Sequence, residues 1–158
     1  MKSKLPLGKI DPNILAGLLS QYTSTGKRVL IGAGIGEDAA IIDMGPVYLV
    51  AKTDPITHVT GEIGHYAVHV NANDIASMGG RPLWFLATLL MPYGSSDREL
   101  KKIFSQISKT CRELGIAYCG GHTEVTSSVN IPIVVGHMLG EVNKEHLKPT
   151  SGAQEGDD

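Results

Sequence analysis

The chain has 158 residues, of which 42% are hydrophobic and 5% aromatic, and its formal net charge at pH 7 is -2. This length suits one domain with a substantial core, and the near-neutral charge excludes the basic field that favours nucleic acid or an anionic membrane. Cys111 and Cys119 form no CxxC pair, and no apolar run approaches the ~20 residues of a membrane span. We therefore predict a cytoplasmic α/β or α+β domain with reduced thiols.

The first third of the chain begins with a helix signal, which three short strand signals follow. Asp11 and Pro12 are typical of an N-cap and the first turn of a helix, which we expect to run to about Thr25. Apolar residues recur there at helical spacing. Segments rich in valine and isoleucine and separated by glycine turns then predict strands over 29–31, 39–43 and 47–52.

The central part of the chain alternates between helix and strand signals. A helix is predicted over residues 61–78, because two glycines and a proline follow it. Residues 83–91 form a long apolar segment and predict a strand. Ser96 or Asp97 then caps a helix whose apolar residues fit the 3.6-residue period and which Gly115 ends.

Two further strands are predicted near the C-terminus, over residues 116–119 and 131–142, with an interruption at Gly136. The polar residues 151–158 carry no large apolar side chain, so we do not expect a core element there. This order of elements predicts an α+β fold with a mixed, largely antiparallel sheet and helices on one face. The other face needs a cover, which a second copy in a homodimer would supply.

Residues 120–124 (GGHTE) are the strongest functional signal, because two glycines permit close backbone approach to a ligand and three polar side chains follow. Three acidic turns precede them: Gly36-Glu37-Asp38, Thr53-Asp54-Pro55 and Asn71-Ala72-Asn73-Asp74. Carboxylates placed in this way could hold a divalent metal and, through it, phosphate. Oxygen ligands without a matching Cys or His pattern favour Mg²⁺ over Zn²⁺.

Each carboxylate also has an ordinary structural interpretation. Asp38 and Asp54 fit a turn and a strand end as simple polar residues. Asp74 lies on the apolar side of its predicted helix, together with Asn71 three residues earlier, where an ionised carboxylate needs a metal or a hydrogen-bonded partner. A bond from Asp74 to a neighbouring loop would also meet that need.

Residues 32–37 (GAGIGE) imitate a dinucleotide-binding fingerprint. The GxGxxG spacing would need its third small residue at Glu37, and the segment that follows is strand-like where a helix is required. A Rossmann site is therefore not predicted. His65 and His69 have helical i,i+4 spacing but lack the glutamate of an HExxH motif, so we interpret them as a solvated face.

The ordered set of acidic and glycine motifs resembles the N-terminal domain of the aminoimidazole ribonucleotide synthetase-like (PurM-like) superfamily of ATP-using enzymes. The resemblance implies ATP and Mg²⁺ as cofactors, with residues 1–150 as the ATP-binding and dimerisation domain. Residues 151–158 would begin the connection to a C-terminal α/β domain. The resemblance also implies that Asp38, Asp54 and Asp74 are metal ligands and that Asp54 and His122 have catalytic roles. The residues that it implies as cofactor contacts are Gly36, Asp38, Asn71, Gly120, Gly121, His122 and Thr123.

Within the superfamily the chain is most similar to HypE-like hydrogenase maturation proteins, in residues 4–9, 53–57 and 120–124. Selenophosphate synthetases also have a histidine where His122 stands, but they need a reactive Cys or Sec near the N-terminus, and this chain has none before Cys111. The resemblance implies an ATP-dependent enzyme with an unidentified acceptor and with hydrogenase-maturation partner proteins. This chain would be one part of that enzyme and would be inactive alone. A kinase of the thiamine-monophosphate type and a dimerisation module that has lost ATP binding are the alternatives.

Overall fold

The computed structural model describes residues 4–58, 61–152 and 155–156. Three α-helices and six strands occur in these ranges, with short 3₁₀ turns after the last strand. The helices are α1 (Pro12–Tyr22), α2 (Ile63–Ser77) and α3 (Asp97–Glu113). The strands are β1 (Val29–Ile31), β2 (Ala40–Asp43), β3 (Tyr48–Ile56), β4 (Arg81–Pro92), β5 (Ala117–Thr126) and β6 (Ile133–Val142).

The six strands form one sheet in the order β1-β2-β3-β6-β4-β5. All neighbouring pairs are antiparallel except β4 and β5, which are parallel. Helix α2 packs against β3, β6 and β4, and α3 packs against α2 and β5. The predicted α+β fold, with a mixed and largely antiparallel sheet, is confirmed.

Local capping chemistry explains where α1 and α3 begin. The Asp11 carboxylate accepts hydrogen bonds from the backbone N–H groups of Asn13 and Ile14, and Pro12 occupies the first turn. Ser96 and Glu99 form a reciprocal capping box at the start of α3. Both helix starts were predicted and are confirmed.

The core lies between the sheet and the pair α2 and α3. Its fully buried large side chains include Ile75, Phe85, Leu89 and Met138. Glycines permit close approach at two places in this layer. A Cβ on Gly64 would lie 2.7 Å from the carbonyl oxygen of Ile103, and a Cβ on Gly136 would lie 2.3 Å from Asn71 Nδ2. Each glycine therefore lets α2 sit directly against its neighbour.

Three sequence-based boundaries are wrong, and long-range pairing is the reason in each case. Strand β3 continues to Ile56, so Asp54 lies within it. Residues 120–124 lie inside β5 and do not follow it. Gly136 does not interrupt β6, because β3 and β4 pair with β6 on both sides of that residue. Ladder hydrogen bonds from neighbouring strands override weak local strand propensity.

Strand β5 accommodates its two consecutive glycines through an irregularity in its pairing with β4. The register shifts between Phe85 and Leu86, opposite Tyr118 and Gly120. Gly120 and Gly121 have φ angles of 146° and 145°, which other residues adopt only with strain. The pair is therefore needed for the path of the strand, in addition to any role at a ligand.

The sheet face opposite α2 and α3 carries both apolar and polar side chains, and neither of these two helices covers it. Alternation along β4 and β6 places Leu86, Leu90, Val135 and Leu139 on this face, each half-buried. We call it the open face. Within the described ranges, no helix is long and apolar enough to cross a membrane.

Candidate functional site

Two of the predicted acids meet at a lysine that the sequence did not single out. Lys52 Nζ lies 2.8 Å from Asp74 Oδ2 and 3.6 Å from Asp54 Oδ2. Lys52 and Asp54 are two residues apart on β3 and therefore share the face that α2 covers, while Asp74 projects from α2. The lysine side chain is 17% exposed and that of Asp74 is 22% exposed, so water screens this pair only partly.

The surrounding charges favour the ammonium form of Lys52. Partial burial alone lowers the pKa of this group. The hydrogen bond and charge of Asp74, together with the charges of Asp54 and Asp38, outweigh burial and hold the pKa of Lys52 above its usual value. Lys52, Asp54 and Asp74 thus form an ion cluster, which we call the Lys52 cluster.

Asp38 lies beside this cluster and is held by two hydroxyl groups. Its Oδ2 accepts a hydrogen bond of 3.1 Å from Ser77 Oγ and another of 3.1 Å from Thr150 Oγ1. Ser77 is the last residue of α2, three positions after Asp74, and its hydroxyl also contacts the Asp74 carbonyl oxygen. The end of α2 therefore links the Gly36-Glu37-Asp38 turn to the Lys52 cluster.

Asn71 is fully buried and lies directly behind Asp54. Its Nδ2 donates to the Ala67 carbonyl oxygen at 2.8 Å and to the Asp54 carbonyl oxygen at 3.4 Å. Among the described residues, the buried side-chain polar atoms without a hydrogen-bond partner are Asn71 Oδ1 and Glu37 Oε2. Glu37 directly precedes Asp38, and Asn71 lies three residues before Asp74 on α2. Buried acceptors are normally satisfied, so these two oxygens fit a site that takes up a cation or a hydrogen-bond donor.

The glycine turn that failed the dinucleotide spacing is part of the same site. A cavity of about 280 Å³ is lined by Gly32, Ala33, Gly34, Glu37, Asp38 and Lys52, together with Leu19, Ala39, Ala40, Ala51 and Thr53. Gly36 lies in the turn just before Glu37, with a φ of 85°. The cavity thus combines glycine backbone, two acids and one ammonium group, which suits a phosphate-bearing ligand with its cation.

The GGHTE segment lies on β5, away from the acids. Strand pairing aligns Gly121 with Asp54 across the sheet, through Ala87 and Gly136 on the two strands between them. Three strand spacings, about 14 Å, therefore separate the segment from Asp54. Its first four residues line a second cavity of about 290 Å³, together with Phe104 and Tyr118. One chain therefore does not bring the predicted glycine and acidic elements together.

His122 has a partner but faces away from the Lys52 cluster. It pairs in register with Thr88, which alternates with the buried residues Ala87 and Leu89, so His122 points to the open face. His122 Nε2 lies 3.1 Å from Glu124 Oε2, and the two side chains are 63% and 47% exposed. Such an exposed contact orients the imidazole but adds little stability.

The three predicted metal ligands do not form a closed metal centre in these side-chain positions. Among residues 4–58, 61–152 and 155–156, no group of three or more His, Cys, Asp or Glu side chains converges closely enough to hold a metal ion. Asp54 and Asp74 share Lys52, and Asp38 is bonded to Ser77 and Thr150. The metal-ligand assignment of these acids remains a prediction.

Sequence reasoning missed Lys52 and Glu37. Lys52 was interpreted only as the end of a strand, although its i,i+2 spacing to Asp54 puts both on one sheet face. Glu37 was named as part of an acidic turn and in rejecting the dinucleotide motif, but it was given no role at the site. Ser77 and Thr150 gave no signal, because hydroxyl residues of this kind are common at helix ends and in polar loops.

Comparisons with known proteins relate this chain to one family of domains. The family model described as AIR synthase related protein, N-terminal domain, matches residues 36–142. The chain is 35% identical over 156 residues to a selenide, water dikinase of Dechloromonas aromatica, covering 94% of this chain and 44% of that protein. It is 32% identical over 136 residues to a putative hydrogenase expression/formation protein of Methanocaldococcus jannaschii, covering 80% and 41%.

Among solved structures, the hydrogenase maturation protein HypE in complex with ATP matches with a TM-score of 0.58 and 27% identity. The match covers 68% of this chain and 34% of HypE. The chain thus spans less than half the length of each of these relatives.

Proposed function

The chain belongs to the AIR synthase related protein N-terminal domain family, and from this membership we propose that it binds Mg-ATP. In this proposal it is the nucleotide-binding and dimerising part of an ATP-dependent, HypE-like enzyme. A hydrogenase maturation role is supported by the relative from Methanocaldococcus jannaschii, and ATP by the ligand of the matched HypE structure. Residues 151–158 would lead to a further domain, since the relatives are more than twice as long.

The observation that carries the proposal is the convergence of Asp54 and Asp74 on one point beside a glycine-lined cavity. Carboxylates from two different elements meet there, and Asn71, whose Oδ1 has no hydrogen-bond partner, contacts the Asp54 carbonyl oxygen through its Nδ2. These hard oxygen donors suit Mg²⁺. Bound Mg²⁺ would neutralise phosphate charge during phosphoryl transfer.

Different residues of the chain would bind the cation and the phosphates. Asp54, Asp74 and Asp38 would hold the cation, and Gly32 and Gly34 would allow the phosphates to approach the backbone. Asn71 would hold the β3 backbone at Asp54 in place, through its bond to that carbonyl oxygen.

A second copy of the chain would complete the site. The cavity at Asp38 is close to the lower end of the roughly 300–1,000 Å³ usual for small-molecule pockets, so one chain encloses only part of a nucleotide. Ala51 and Thr53 line this cavity from the opposite side of β3 to Lys52, so the cavity reaches the open face. The partner's His122, on the open face of that second copy, would supply the missing wall and donate to a phosphate oxygen.

The substitution Asp74→Asn tests the proposal, with Asp97→Asn as a matched control. Asp97 also pairs with a lysine, but at an exposed site on α3. Isothermal calorimetry with ATP and Mg²⁺ should show affinity reduced about 10–100-fold by Asp74→Asn, since a charged ligand is worth about 1.5–3 kcal/mol. The Asp97 variant should bind as the wild type does.

Two results would contradict the proposal. One is wild-type affinity for Mg-ATP in the Asp74→Asn variant while circular dichroism shows a native fold. The other is no binding by the wild-type chain at millimolar ATP. Sedimentation equilibrium tests the composite site separately: the chain mass is 16.8 kDa, and a dimer should have twice that mass.

Phosphoryl transfer with selenide is the second candidate function. It is favoured by the 35% identity to a selenide, water dikinase over 94% of this chain. His122 also fits that branch, whereas the lack of a cysteine before Cys111 does not. Phosphorus-31 NMR of the chain with ATP and selenide would detect a phosphorus–selenium product if this candidate holds.

A further inference from the structure

Lys52 occupies the position that a cation would take between two of the proposed metal ligands. Its ammonium is in contact with Asp74 Oδ2 at 2.8 Å and within ion-pair distance of Asp54 Oδ2 at 3.6 Å. Asp54 and Asp74 would hold a divalent ion through the carboxylates that now pair with the ammonium, and the two positive charges would repel each other. The ammonium and the ion would therefore compete for these carboxylates.

The net charge of the Lys52 cluster influences whether a divalent ion can replace the ammonium. Two carboxylates and one ammonium leave one net negative charge. With Asp38, the third proposed ligand, the net charge is two negative, and a divalent ion alone would bring it to zero. The displaced ammonium would remain tethered nearby on β3 without its carboxylate partners and would repel the ion. Phosphate oxygens arriving together with the ion would offset that repulsion. The cluster therefore disfavours a free divalent ion and favours one that comes with an anion.

From this geometry, and resting on the proposed function, we infer that Lys52 is a tethered competitor that makes divalent-cation binding depend on the nucleotide. In the absence of ligand it keeps Asp54 and Asp74 paired at their ligand positions. It leaves the carboxylates when the cation enters with the phosphates. Lys52 is in this sense a positioning and selectivity residue and need not touch the reacting atoms.

The test compares Mn²⁺ binding by the wild type and Lys52→Met, with and without ATP. Free Mn²⁺ gives a sharp electron paramagnetic resonance signal that decreases on binding, so affinity is measured without turnover. Methionine removes the charge but keeps a long, flexible side chain. Without ATP, the variant should bind Mn²⁺ at least about tenfold more tightly than the wild type, because one competing charge at about 4 Å is gone. The enhancement of binding by ATP should shrink accordingly.

Lys144→Met is the matched control. Lys144 Nζ lies 3.5 Å from Asp43 Oδ1, so this change removes one positive charge from an ion pair outside the Lys52 cluster. Its Mn²⁺ affinity should stay within about twofold of the wild type, since exposed charges are screened. A Lys52→Met chain that binds Mn²⁺ equally or more weakly than the wild type overturns the inference.

The outcomes separate this inference from the proposed function. If the wild type binds Mn²⁺ with ATP but Lys52→Met shows no gain without ATP, only the role of Lys52 fails. If no chain binds Mn²⁺ even with ATP, the proposed function fails and the inference falls with it.

A second measurement uses the wild type alone, in case Lys52→Met does not fold. NMR of lysine ammonium groups should show the Lys52 signal shift on saturation with Mg-ATP. An unchanged Lys52 signal at saturation would show that the ammonium never leaves the carboxylates, and would overturn the inference.

Discussion

Replacing Gly136 with alanine would place a methyl group inside the contact between β6 and α2. The added Cβ would lie 2.3 Å from Asn71 Nδ2, 2.9 Å from Asn71 Cγ and 2.9 Å from Phe85 Cε2. Asn71 and Phe85 are both fully buried, so neither can move into solvent. The strain must therefore be relieved by shifting α2 away from the sheet or by breaking the bonds of Asn71.

The expected loss of stability follows from these two responses. Overpacking a buried contact costs about 1–3 kcal/mol. Losing the Asn71 Nδ2 bonds to the Ala67 and Asp54 carbonyl oxygens adds about 1 kcal/mol. The better strand propensity of alanine offsets a few tenths of that sum. We expect a decrease of about 2–4 kcal/mol in the free energy of unfolding, and a decrease in Tm of roughly 5–15 °C.

Urea and thermal unfolding followed by circular dichroism measure this effect. Gly17→Ala is the control, because Gly17 lies within α1 and a Cβ there meets no atom within 4 Å. That change should stabilise the chain by about 0.5–1 kcal/mol through helix propensity. If Gly136→Ala unfolds at the wild-type Tm and urea midpoint, the close approach of Asn71 to β6 is not a feature of the folded chain.

Two further predictions concern α3 and the thiols. Ser96→Ala should lower Tm by roughly 2–4 °C at pH 7 through loss of the capping box. Hydrogen bonds from the Ser96 backbone and hydroxyl lower the pKa of Glu99, so the difference in Tm between wild type and variant should shrink as the pH falls through that lowered pKa. A difference in Tm that stays constant with pH would refute the role of the Glu99 carboxylate. Burial, with a smaller effect of Cys119, raises the pKa of the Cys111 thiol to about 11, whereas Cys119 is exposed. Iodoacetamide at pH 8 should therefore label Cys119 in the folded chain and Cys111 only in urea, and equal labelling by mass spectrometry would contradict the structure.

Much of the fold could be read from local patterns. The capping signals of Asp11 and Ser96 and the glycines that follow α2 mark helix ends through bonds within a few residues, and each was placed within two or three residues of its observed position. The strand ends at Asp54 and at residues 120–124 were misjudged. Proline and paired glycines weaken local strand propensity, and only the neighbouring strands restore it.

Some features of the candidate site could likewise be predicted from local sequence patterns, and others could not. The helix period alone puts Asn71 and Asp74 on one side of α2, so both were recognised from spacing. The ammonium of Lys52 between Asp54 and Asp74 was not recognised, because it depends on α2 crossing β3. Such a contact joins residues more than twenty positions apart in the chain, and no local pattern encodes it.

The sequence by itself determined which chemical groups this protein carries: three acids, an asparagine on the same side of a helix as one of them, and a glycine pair beside a histidine. Only the tertiary structure decided their grouping. Insertion of β6 and β4 between β3 and β5 puts His122 three strands away from Asp54 and on the opposite face. Strand order follows from hydrogen bonding and packing between distant segments, so the division of the site into two halves emerges only when the sheet is assembled.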